Sequence, residues 1–325
     1  MEFLAVEWMG KPAWMWAGFL AVVVGLLAFD LGVLHRKAHE IEVRESLLLS
    51  GFYIAVALLF GAWVWVRLGS DSGLDYLTGF AIEKSLAMDN VFVIAMIFSA
   101  FGIPRLYQHR VLFWGVLGVI VLRAVMIAAG AALVSRYEWA LYVFAAFLIF
   151  TGARMMATSP SEEAATGQGL VKWLKRRMPV TDQLHGARFF VREKNSAGHM
   201  IWHATPLFLA LVTIEFADVI FAVDSVPAIF AITTDPYIVY TSNIFAILGL
   251  RALYFALAAV IHRFAYLKQA LAILLIFIGG KVIVAPLLGL EKTPPAISLG
   301  VTAVILIGGV VWSMWKTRAA ARIHS

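Results

Sequence analysis

Apolar residues along this chain gather into long continuous runs, separated by short polar stretches. Nine runs are long enough to cross a bilayer core of about 30 Å as helix: 14–34, 46–67, 74–98, 111–134, 138–156, 204–232, 237–261, 268–288 and 297–315. Within a run the apolar positions are consecutive and do not alternate, which favours helices over the strands of a barrel. The pattern predicts an all-α polytopic membrane protein. One long polar stretch, 157–203, interrupts it. That stretch opens with Thr158, Ser159, Pro160, Ser161, Glu162 and Glu163 and carries Lys172, Lys175, Arg176 and Arg177. It reads as a linker or a small amphipathic segment, not a second domain.

Composition agrees with lipid as the solvent. The 325 residues are 62% hydrophobic and 14% charged, with mean hydropathy +0.87. A soluble domain could not keep that much apolar surface from water. Cysteine is absent, so the sequence offers no disulfide framework, thiolate metal site or thiol redox centre. The basic balance reflects Lys and Arg gathered in cytoplasmic loops and does not point to nucleic acid. The first run is too long for a signal peptide, contains Asp30, and follows Glu2 and Glu7 where a basic flank would stand, so it is expected to stay.

Orientation follows from the connections. Alternate loops hold eighteen Lys and Arg, eight of them from Arg154 through Lys194, whereas the other set holds four: Lys11, Arg67, Arg136 and Lys292. The positive-inside rule then predicts an outside N-terminus and an inside C-terminus.

A repeat lies within this pattern. Ala87-Met88-Asp89-Asn90-Val91 parallels Ala222-Val223-Asp224-Ser225-Val226, with Glu83 and Asp218 each six residues before the Asp. Leu122-Arg123-Ala124 parallels Leu250-Arg251-Ala252, and Leu148 to Arg154 parallels Leu275 to Lys281. Three helices per unit is an odd number, so the second copy must enter the membrane inverted, as in many secondary transporters. The chain divides into a two-helix N-terminal segment (1–73), a first unit (74–156), the polar stretch (157–203), an inverted second unit (204–288), and a C-terminal helix with tail (289–325). Ala28-Phe29-Asp30-Leu31 is a weaker echo of the acidic signature.

The chemistry lies in acids inside the spans: Asp30, Glu83, Asp89, Glu215, Asp218 and Asp224. Each costs roughly 2.5–3.5 kcal/mol at a helix centre and so demands a partner or a polar cavity. Lys84, Arg123, Arg251 and Lys281 are the candidate charge partners; six acids against four bases leave two negative charges over. A divalent cation would balance them, and so would protons. At about 100° per residue, Glu83 and Asn90 share a helix face, as do Asp218 and Ser225, whereas Asp89 and Asp224 lie about 120° from their partner acids. Either the helices unwind locally, as Pro227 would permit, or some acids face a neighbouring base. Glu215 and Asp218, three apart, are placed to bind together. With Asn90 and Asn243 as amide donors and no thiolate, the ligand set suits Mg²⁺, Ca²⁺ or Mn²⁺. Met88 and Met96 read as packing. The eight histidines sit in loops or at span ends and are not assigned as ligands.

The motifs Glu83 to Phe92, Glu215 to Ala228 and Thr241 to Arg251 resemble the TerC family, and the likeness runs from about Trp14 to Trp315 without departure in those motifs. The family is named for tellurium resistance, and the branch this chain is most similar to is associated with manganese export and alkaline pH response. The resemblance implies a manganese exporter of the bacterial inner membrane with ligands from the three acidic motifs. Protons are the expected counter-ion, since a carboxylate that binds metal gives up its proton. Two other classes compete with this reading. An intramembrane enzyme is disfavoured, because no His-Glu-x-x-His pair, Walker A loop or Gly-x-Gly-Asp signature is present. A membrane scaffold would recruit partners for metal or tellurium stress resistance through the basic stretch.

Overall fold

The structure is a computed structural model that describes residues 7–32, 43–137, 139–157, 166–194, 199–258, 267–288 and 294–323. A small N-terminal hairpin, β1 (Glu7–Trp8) and β2 (Lys11–Pro12), leads into α1 (Ala13–Gly32). Then come α2 (Val43–Leu68), α3 (Ser70–Ala100), α4 (Arg105–Arg136) and α5 (Trp139–Ala157). The polar stretch folds as α6 (Thr166–Arg177) and an antiparallel hairpin, β3 (Phe190–Lys194) with β4 (Met200–Ala204). The membrane part resumes with α7 (Pro206–Phe230), α8 (Pro236–Leu248), α9 (Leu250–Ala258), α10 (Leu267–Leu287) and α11 (Pro295–Ile323).

Among the described residues, eight helical stretches are long and apolar enough to cross a membrane, α8 and α9 counting together as one. The third of the nine expected spans is the exception. Its helix, α3, has 31 residues and reaches about 46 Å. It is long enough, but Asp71, Asp75, Glu83, Lys84 and Asp89 make it polar. Asp75 lies inside the run drawn as 74–98 and Glu138 at the edge of the run drawn as 138–156, so the count of acids within the runs rises from six to eight.

The boundaries have local causes. Gly69 takes φ 97° between α2 and α3, a backbone that residues with a Cβ rarely adopt, and so turns the chain in one residue. Pro206 and Pro236 open α7 and α8, where a missing amide costs nothing. Asp235 caps α8 by accepting from the Tyr237 amide at 3.0 Å, and Lys11 holds that carboxylate at 2.8 Å. Unwinding near Asp224 is not observed: α7 runs through Pro227, which loses one hydrogen bond close to the helix end. The break falls at Gly249, between α8 and α9, inside the run drawn as one span.

The innermost element is α8, buried at all positions from Tyr237 to Leu248 except Tyr240. It is flanked by α3 and α4, while α7 packs on α4 and α3. By contrast Leu59 and Val66 of α2, Val121 and Val125 of α4, and Val304 and Ile307 of α11 are exposed, the surface a lipid solvent favours. The contact between α5 and α10 is reciprocal. A Cβ on Gly152 would lie 2.6 Å from the Ala272 carbonyl and 2.8 Å from Ile276; a Cβ on Gly279 would lie 2.5 Å from the Ala145 carbonyl and 2.9 Å from Ile149. In the alignment of Leu148 with Leu275, Gly152 corresponds to Gly279, Ala145 to Ala272 and Ile149 to Ile276. Exchanging the two helices returns the same contact, as across a two-fold axis.

Candidate functional site

Arg123 of α4 is 1% exposed, and so is Glu83 of α3. A guanidinium so placed must find anions and acceptors, because a buried charge left unpaired is costly. It finds them on three other helices. Its Nη1 lies 2.6 Å from the Glu83 Oε1 and donates to Ser225 Oγ of α7 at 2.6 Å and to Asn243 Oδ1 of α8 at 3.2 Å. Its Nε and Nη2 reach the two Asp218 oxygens at 3.4 and 3.5 Å. Five oxygens from four side chains thus surround one cation.

Further bonds knit the ring. Asn243 donates through Nδ2 to Glu83 Oε2 at 3.1 Å, and Asn90 donates to Asp218 Oδ1 at 3.5 Å. The seven-residue spacing explains the convergence: Glu83 and Asn90 lie two turns apart on the inner face of α3, Asp218 and Ser225 likewise on α7. Two carboxylates share one guanidinium, so the described cluster keeps one negative charge in excess when both are ionised.

Glu215 stands one turn before Asp218 and within its electrostatic reach, in a groove of α4 made by Gly115 and Gly118. A Cβ on Gly118 would overlap the Glu215 carboxylate. Among the described residues its Oε2 is buried without a hydrogen-bond partner.

The other predicted residues are distributed elsewhere. Asp30 of α1 pairs with Arg251 of α9, with the Tyr53 hydroxyl of α2 beside it. Asp30 thus has its own counter-ion, apart from the cluster around Arg123. Lys84, predicted as a partner for an acid, donates instead to the Ala246 carbonyl at 3.1 Å, in the last turn of α8 where helical amides run out. Lys281 donates to Ser298 of α11 at 3.0 Å and lies near Asp75. The side chains of Asp89 and Asp224, the acids at matching positions of the repeat, lie outside the described residues. Among the described residues no three His, Cys, Asp or Glu side chains are grouped closely enough to hold a metal ion. The sequence reading missed Asp75 and Tyr53, and it gave Ser225 no role. Asp75 was readable from its position in the third run; Tyr53 had no local signal.

A cavity of about 930 Å³ lies at the membrane face that carries the N-terminal hairpin, lined in part by Ser135, Tyr142, Thr233 and Lys281. Ile127, Ala131, Val226 and Phe230 pack together within about two turns of Arg123 and Ser225, and Ala131 and Phe230 reach the cavity wall.

Helices long enough to span a bilayer, lipid-compatible outer faces and an ion-paired polar centre define a multi-pass integral membrane protein. The chain belongs to the TerC family: residues 68–321 match the family described as "Integral membrane protein TerC family". It is 47% identical to "Uncharacterized membrane protein STKORF319" of Myxococcus xanthus over 96% of this chain and 95% of that one. It is 46% identical to "Putative membrane-bound redox modulator Alx" of Escherichia coli over 94% of this chain and 95% of that one. To an "Uncharacterized membrane protein" of Rickettsia bellii it is 45% identical, over 94% and 99% of the two chains. No solved structure matches the chain.

Proposed function

We propose that this protein carries a hard divalent cation, Mn²⁺ foremost, out across the bacterial inner membrane, and that the cation binds at the centre now held by Arg123. The observation that carries this reading is the cage of five oxygens around one buried guanidinium, drawn from Glu83, Asp218, Ser225 and Asn243. Such a set resembles the oxygen shells that hard divalent ions take. Arg123 then acts as the resting counter-ion, and an arriving cation competes with it for Glu83 and Asp218. Glu215 supplies a carboxylate not engaged by hydrogen bonds through Oε2. Protons are the natural counter-substrate, since carboxylates released by one cation accept the other. The reciprocal α5–α10 contact supports two oppositely oriented units, an arrangement whose binding sites lie between the copies. Manganese as the ion and export as the direction follow the family resemblance. The name of the Escherichia coli relative speaks of redox modulation; without cysteine, this chain offers no thiol–disulfide couple of its own.

Purified protein in liposomes enclosing a manganese-sensitive dye gives the test. Wild type is expected to move Mn²⁺, and Glu83→Gln and Asp218→Asn to lose most of the flux while eluting as folded protein. No flux with wild type, or equal flux in all three, would remove the proposal.

A further inference from the structure

We propose that α6 and the β3–β4 hairpin form a docking surface for anionic phospholipid headgroups on the membrane face from which they emerge. The surface is built in sequence and register. In the hairpin, residues alternate between two faces. Phe190, Arg192 and Lys194 point outward on β3, with Met200 and Trp202 outward on β4; Arg192 pairs across with Trp202 and Lys194 with Met200. The opposite face carries Val191, Glu193, Ile201 and His203. In α6, Leu174 is buried, while Lys172, Trp173, Lys175, Arg176 and Arg177 are exposed. Arg192 lies 4.8 Å over the Trp202 ring and Arg177 lies 5.7 Å over the Trp173 ring. Cations and aromatics are therefore interleaved on the exposed side of each element, the composition of an interfacial segment.

Its position brings this surface to the lipid. β4 passes through Thr205 directly into Pro206 of α7, and the Phe190 ring lies 4.5 Å from that of Phe208 in the first turn. Arg110, near the start of α4, lies over Phe189 at 5.4 Å. Residues 166–204 carry seven Lys and Arg against two acids, Asp182 and Glu193, which face Lys175 at 3.1 Å and His185 at 2.7 Å. Among the described residues no further acid pairs with the remaining cations, whereas an anionic leaflet supplies matching charge. Trp173 and Trp202 are more than half exposed, which water disfavours and a headgroup layer accommodates.

The full-length protein in nanodiscs tests this, with backbone hydrogen exchange read over 166–177 and 190–204. Moving from phosphatidylcholine alone to discs containing phosphatidylglycerol is expected to slow exchange roughly tenfold or more, on the basis of about fivefold per cation held at an anionic surface. High salt is expected to reverse it. The K172Q/K175Q/R176Q/R177Q variant should lose the response in α6, and the charge-keeping K172R/K175R/R176K/R177K variant should retain it. Equal exchange in both discs overturns the proposal. So does equal protection from inorganic phosphate added to phosphatidylcholine discs, or protection that requires a soluble protein fraction.

Discussion

Removing the guanidinium from the polar centre is the most informative perturbation. Arg123→Leu leaves Glu83 and Asp218, 1% and 6% exposed, facing one another without the cation between them. It also strips Ser225 and Asn243 of their shared donor. Breaking a buried ion pair by deleting one partner costs about 3–5 kcal/mol, because the surviving charge stays desolvated. Two survivors here place the loss at the upper end of that range. The argument concerns stranded charge, so neutralising the survivors should undo most of the damage. Glu83→Gln and Asp218→Asn keep the shapes, and each amide still finds Asn243 or Asn90. Equilibrium unfolding in mixed micelles, titrated with a denaturing detergent, reads the difference. The expected order is wild type above the triple variant, with Arg123→Leu alone clearly lowest. If the triple variant is no more stable than the single, or the single loses less than about 1 kcal/mol, Arg123 is not compensating those carboxylates as its geometry implies.

The reciprocal α5–α10 contact predicts a matched pair of effects: Gly152→Ala and Gly279→Ala should each destabilise by about 1–3 kcal/mol in the same unfolding assay, and by similar amounts. Backbone carbonyls oppose the new methyl in both cases, so a neutral result at one position alone would contradict the two-fold relation. Gly118→Ala meets only the end of a flexible side chain, so stability should fall by about 1 kcal/mol or less while Mn²⁺ flux drops through the displaced Glu215 carboxylate. Unchanged flux at intact stability would count Glu215 out of the path. Because the sequence has no cysteine, Glu7→Cys and Lys175→Cys each introduce a unique label site. An impermeant maleimide should reach the first in intact cells and the second only after permeabilisation; the opposite pattern would invert the proposed orientation.

What was legible in the sequence was what helical periodicity carries. Two acids with polar residues seven positions on, Glu83 with Asn90 and Asp218 with Ser225, share faces on any regular helix, and those faces meet at Arg123. Pairings made across the bundle were not legible. Asp30 meets Arg251 only because α1 lies beside α9, and no local pattern states that neighbourhood. Lys84 follows Glu83 directly, yet one residue is about 100° of rotation, enough to turn it to the end of α8. The break at Gly249 lay hidden because one glycine in an apolar run costs only about 1 kcal/mol and commonly passes without interruption. Local unwinding at Pro227 was one of two readings of the phase of Asp224, and so near a helix end a missing amide is cheap to lose. The β3–β4 hairpin, with strands of five residues each, was overshadowed by the basic run before it, although its period-two alternation is plain once the register is known.

The fork at Arg123 has a mechanical consequence. Rooted in α4, one side chain grips α3, α7 and α8 together, so none of those three can tilt or slide by itself while the grip lasts. Release of that grip would free all three in a single event, so that a local exchange of one positive charge for another would act on α3, α7 and α8 at once.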